Sequence, residues 1–105
     1  DAFDNPDWAP IVLHSYRHRW GHASGDPAYD KDDQALNPPP VLAVPTLVLH
    51  GAVDTVNAPV GSANKEHLFT GPYQRTLLEG VGHFPQREAP QQVAQALLDF
   101  VRNHA

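Results

Sequence analysis

An aspartate and a histidine draw attention by where they fall along the chain. Asp54 closes the segment Val44-Pro45-Thr46-Leu47-Val48-Leu49-His50-Gly51-Ala52-Val53-Asp54, which reads as a buried strand halted at a glycine turn. His83 follows Tyr73-Gln74-Arg75-Thr76-Leu77-Leu78-Glu79-Gly80-Val81-Gly82, a second strand halted at a glycine loop. The two residues are 29 positions apart, acid before base. Open α/β sheets carry their sites in the crevice at the carboxyl ends of the strands, so such a pair is placed for proton transfer. In that chemistry His83 is the general base. Asp54 accepts its Nδ1–H, fixes the tautomer and stabilises the imidazolium. The alternative is a turn aspartate and a loop histidine satisfied by backbone, roles that both residue types often fill.

The elements that must position this pair follow from apolar spacing. Thr46–His50 is apolar almost without alternation, the pattern of a parallel strand covered on both faces. Pro59–Phe69 is predicted to be a crossover helix that starts at Pro59 and stops before Gly71-Pro72. Gln74–Glu79 is the second strand. A helix is predicted from Glu88 to about His104, with Pro90 in its first turn and an apolar stripe of Val93, Ala94, Ala96, Leu97, Phe100 and Val101. Upstream, Asn5 is the expected N-cap, Pro6 the first helical residue and Asp7 a favourable charge at the helix start. Trp8, Ile11, Val12, Ser15, Tyr16, Arg19 and Trp20 then recur at helical steps, and Gly21 ends the run. His22–Pro40 reads as an irregular connector with a short helix near Lys31–Leu36; Pro38-Pro39-Pro40 can neither continue a helix nor donate to a sheet.

Composition sets the outer bounds. One hundred and five residues, 41% of them apolar, suffice for one small domain with a modest core. A net charge of −5, with no run of Lys or Arg, leaves no electrostatic footprint for nucleic acid. The absence of cysteine excludes disulfides and thiolate metal sites and leaves the compartment open, with a cytoplasmic location favoured. No apolar run approaches the roughly 20 residues of a membrane span, and no signal peptide is visible. Two parallel strands joined by one crossover still leave free edges and apolar faces, so the sheet needs neighbours.

The phrases His50-Gly51-Ala52-Val53-Asp54 and Gly80-Val81-Gly82-His83-Phe84, in that order, resemble the C-terminal third of an α/β-hydrolase. The resemblance implies an α/β fold, with residues 46–105 the C-terminal part of the core, residues 23–45 a linker and residues 1–22 the end of a cap or lid. It also implies that Asp54 and His83 are the second and third members of a nucleophile–acid–histidine triad. The nucleophile would then lie on an N-terminal remainder, in the same or a separate chain. None of Ser15, Ser24 or Ser62 sits in a strand–elbow–helix setting, so the chain alone is expected to be inactive. A serine nucleophile would imply hydrolysis of an ester; an aspartate would form an alkyl ester that water, activated by His83, then cleaves, the route to epoxide and haloalkane hydrolysis. Neither route calls for a cofactor or a metal, and the partner is a small-molecule substrate.

Ser15-Tyr16-Arg17 resembles the end of the cap in epoxide hydrolases and haloalkane dehalogenases, and Tyr16 falls where a cap tyrosine polarises the substrate oxygen. Its other expected role is packing against Trp8, Val12 or Trp20. The resemblance places His50 near the turn that orients the acid, as a structural residue, and Glu88 can bond locally at the start of the last helix. Two alternatives from other classes remain. One is a non-catalytic fragment or interaction module that keeps the scaffold. The other is a metal-binding helix built on His14, His18 and His22, of which only the first two share a dependable helical face.

Overall fold

The structure, a computed structural model, describes residues 2–104. The chain divides into two compact units, Asp1–Pro39 and Pro40–Ala105.

In the first unit the helix starts later than expected. Asp7, not Asn5, precedes its first residue and makes no side-chain capping bond, while Asn5 holds the turn before it. The Asn5 Oδ1 accepts the Asp7 N–H at 2.9 Å, and its carbonyl accepts the Trp8 N–H at 3.0 Å. Regular helix α1 then spans Trp8–Arg19. Its C-terminus closes on Gly21, whose φ of +74° suits a residue without Cβ. Gly21 N–H bonds to His18 O and His22 N–H to Arg17 O, the paired bonds of a Schellman motif. The connector holds a 3-10 turn, Pro27–Tyr29, capped by Asp26 through the Ala28 N–H. It runs into the short helix α2, Asp30–Ala35.

The second unit is built on two parallel strands, β1 (Thr46–Gly51) and β2 (Tyr73–Leu78). They pair in register from Thr46 opposite Tyr73 to Gly51 opposite Leu78. The connection between them departs from the predicted helix over Pro59–Phe69. It contains two 3-10 turns, Pro59–Ser62 and Glu66–Leu68. Between them Ala63 is extended and Asn64 takes φ +57°, so helical dihedrals cannot run through. Gly61, Ser62 and Asn64 are weak helix formers, and the backbone breaks where they cluster. The last helix is also divided, into α3 (Pro85–Glu88) and α4 (Pro90–His104), with Ala89 non-helical at φ −139°.

The core is small. Leu78, Val81 and Ala89 are buried together, with Leu49 and Val93 packed against them. On α4 the face turned inward is Val93, Ala96 and Phe100, whereas Leu97 and Val101 of the expected stripe are exposed. Among the described residues no large side chain is fully buried. No helix among them is long and apolar enough to cross a membrane.

Candidate active site

The carboxyl ends of β1 and β2 lie side by side, and the loops that leave them touch backbone to backbone. Ala52 N–H bonds to Leu78 O, and Val53 N–H to Val81 O at 3.0 Å. Gly51 makes this approach possible: a Cβ there would stand 2.0 Å from Gly82 O and 2.4 Å from Val81 O. In the second loop, Val81 N–H closes a turn on Leu78 O, and Gly80 supplies its φ of +70°. Glu88, from α3, then holds the loop on both sides of His83. Its carboxylate accepts the Gly82 N–H at 2.7 Å and the Phe84 N–H at 3.0 Å. Those two bonds draw the Glu88 carboxyl below the usual carboxylate range.

These loops bring Asp54 and His83 together. His83 Nδ1 lies 2.9 Å from Asp54 Oδ2. The other carboxylate oxygen accepts the N–H of Val56 at 2.8 Å and of Asn57 at 2.9 Å. Asp54 is buried, with 8% of its surface exposed. Burial pushes its carboxyl up, but the His83 bond, the two backbone bonds and the charge of His83 outweigh that and hold it at about 2, below the ordinary 3.8. A carboxylate on Nδ1 fixes the neutral imidazole as the tautomer whose Nε2 carries the lone pair. The arrangement is that of a base with its orienting acid.

His50, on β1, lies at the same corner. Its Nε2 is 2.8 Å from Asn57 O and 3.4 Å from Asp54 Oδ2, and its Nδ1 is 2.7 Å from Ser62 Oγ. Arg75, on β2, completes the cluster by donating Nε–H to Ser62 Oγ at 2.9 Å and Nη2–H to Pro59 O at 2.6 Å. Sequence reasoning placed His50 near the acid's turn but passed over Ser62 and Arg75. One signal was present for Arg75: an arginine in a strand opposite Val48 must reach a polar partner or water.

Tyr16 lies on α1, in the unit Asp1–Pro39, and is 60% exposed. With Ile11, Val12, Ser15 and Arg19 it lines an open hollow of about 410 Å³. The histidines of α1 do not assemble a ligand set. The His14 and His18 rings stack at 6.3 Å between centroids, and among the described residues no three His, Cys, Asp or Glu side chains are grouped to hold an ion.

No model of a known protein family matches the chain. Over 60 residues it is 35% identical to epoxide hydrolase A of Mycobacterium tuberculosis (strain ATCC 25618 / H37Rv), a stretch covering 57% of this chain and 19% of that protein. The crystal structure of epoxide hydrolase A from Mycobacterium thermoresistibile superposes with a TM-score of 0.60 at 36% identity, covering 69% of this chain and 22% of that one. The chain thus spans about a fifth of the length of these relatives. In its parallel strands, in the turns at their ends and in both likenesses, the chain resembles the C-terminal portion of an α/β-hydrolase.

Proposed function

We propose that Asp54 and His83 are the acid and the histidine of a triad that hydrolyses a small epoxide, with the nucleophile supplied by the N-terminal remainder of the hydrolase. The observation that carries this reading is the 2.9 Å contact between His83 Nδ1 and an Asp54 carboxylate whose other oxygen is held by two amides. The relatives' names favour an epoxide over an ester. In the proposed sequence an aspartate carboxylate attacks a ring carbon, the carbon–oxygen bond breaks, and an alkyl ester forms. The released oxygen takes its proton from Tyr16. His83 Nε2 then removes a proton from water and the resulting hydroxide adds to the ester carbonyl. On collapse the leaving diol oxygen takes the proton of the new carboxyl group, which regenerates the carboxylate, and the imidazolium proton returns to the Tyr16 phenolate through water. Asp54 stabilises the imidazolium formed in that step. A serine nucleophile on the same scaffold would give ester hydrolysis instead.

The test is steady-state hydrolysis of a small epoxide and a simple ester by the complete hydrolase. His83→Ala should lower turnover by roughly four to six orders of magnitude with the fold retained, as triad dissection leads one to expect. Activity near that of the unsubstituted enzyme would overturn the assignment. Tyr16→Phe should depress epoxide turnover and spare the ester; equal effects on both would remove Tyr16 from ring opening.

A further inference from the structure

We propose that His50 is a positioning residue for Asp54, and that Ser62 and Arg75 lock it in one orientation and one tautomer. This inference rests on the assignment of Asp54 and His83 as a working pair. Asn57 O can only accept, so the His50 nitrogen 2.8 Å away, Nε2, carries a proton and donates it. The opposite nitrogen, Nδ1, lies 2.7 Å from Ser62 Oγ. Ser62 has one hydroxyl proton and two acceptors in reach, His50 Nδ1 at 2.7 Å and Pro59 O at 3.1 Å. Pro59 O is already served by Arg75 Nη2–H at 2.6 Å, and Arg75 Nε–H fills a lone pair of Ser62 Oγ at 2.9 Å. The shorter contact therefore takes the hydroxyl proton. Donors then point one way along the chain, from Arg75 to Ser62, from Ser62 to His50, and from His50 to Asn57 O.

That direction matters because of what Asn57 does next. The same residue gives its own N–H to Asp54 Oδ1 at 2.9 Å. His50 thus fixes the residue that fixes the carboxylate, and the rotation of that carboxylate decides whether Oδ2 faces His83. His50 Nε2 also lies 3.4 Å from Oδ2 itself. Its side chain is only 14% exposed, against 32% for His83, so water does not easily take over these bonds. A fixed charge on β2, through one hydroxyl and one imidazole, sets the aim of the acid in the loop after β1.

The experiment is long-range 1H–15N spectroscopy of the 15N-histidine-labelled protein, read beside epoxide turnover by the complete hydrolase. In the unsubstituted protein His50 should show a protonated Nε2 and an unprotonated Nδ1, and His83 a protonated, exchange-protected Nδ1. Ser62→Ala should speed exchange of the His83 Nδ1–H about tenfold, the effect of losing one ordinary hydrogen bond, and lower kcat by a similar factor with KM held within about twofold. Ser62→Thr, which keeps the hydroxyl, should restore both. His50→Gln should behave like Ser62→Ala; if it fails to fold, Ser62→Ala decides alone. An unchanged His83 signal in folded Ser62→Ala, whatever its activity, overturns the proposal, as does a His50 without a proton on Nε2. A His83 without a bonded Nδ1–H in the unsubstituted protein instead overturns the triad assignment itself.

Discussion

At the scale of single residues, Asp54 is the group whose chemistry the fold constrains most. Two amides and one imidazole engage its carboxylate in a buried position, and its pKa is held at about 2. Between that value and the ordinary 3.8, the unfolded chain binds the proton and the folded chain does not, so stability rises with pH across this window. The contribution of Asp54 is fully present above about pH 4 and is lost as pH falls towards 2. In Asp54→Asn the dependence of Tm on pH should flatten over that interval, which a thermal-melt series from pH 2 to 5 would show. An unchanged slope would mean that the carboxylate is not the linked group. Turnover in the same variant should fall about 10⁴-fold, because an amide leaves His83 in the wrong tautomer. Asp54 and His83 were legible in the sequence because each follows a strand that stops at glycine. Ser62 and Arg75 were not, because the contact that gives them meaning depends on the path of an irregular crossover.

At the scale of elements, the meeting of the two strand-end loops is the feature most sensitive to change. Gly51→Ala would drive a Cβ to 2.0 Å from the Gly82 carbonyl, and neither partner is a flexible side chain. The loops must separate, at a cost of about 2–4 kcal/mol in unfolding free energy. Denaturant titration of Gly51→Ala measures that cost, and the His83 Nδ1–H signal should weaken in parallel. Glu88→Ala acts on the other side of the pair. With the carboxylate gone, the N–H groups of Gly82 and Phe84 lose their acceptor, and their amide exchange should accelerate more than tenfold. Amide exchange at wild-type rates would show that the His83 loop holds itself. The strands, α1 and the body of α4 could be anticipated from apolar spacing, within a residue or two at their ends. The crossover could not: Pro59 suggested a helix start, yet the extended Ala63 and the left-handed Asn64 leave it two 3-10 turns.

At the scale of the whole molecule, every hydrogen bond described for the acid and the histidine lies within the unit Pro40–Ala105. That unit carries a small core, and α4 leaves Leu97 and Val101 uncovered beside its inward face. Modest burial makes for modest stability in a chain of this length. Among the described residues β1 and β2 pair only with each other, the open edges that two apolar strands with a single crossover lead one to expect. Limited proteolysis within the exposed stretch before Pro40 should release Asp1–Pro39 and leave the His83 Nδ1–H signal in place. Loss of the signal on cleavage would show that the pair depends on the first unit.

The backbone contact at Gly51 and Gly82 bears on how such a chain can be inherited. Main chain against main chain sets how closely the two loops approach, and both loops fall in one continuous stretch of sequence. A crossover in the DNA at the Pro39–Pro40 boundary would therefore transfer the pair as a calibrated block. Segments outside it could then diverge, or be exchanged by an engineer, without Asp54 and His83 having to find each other again.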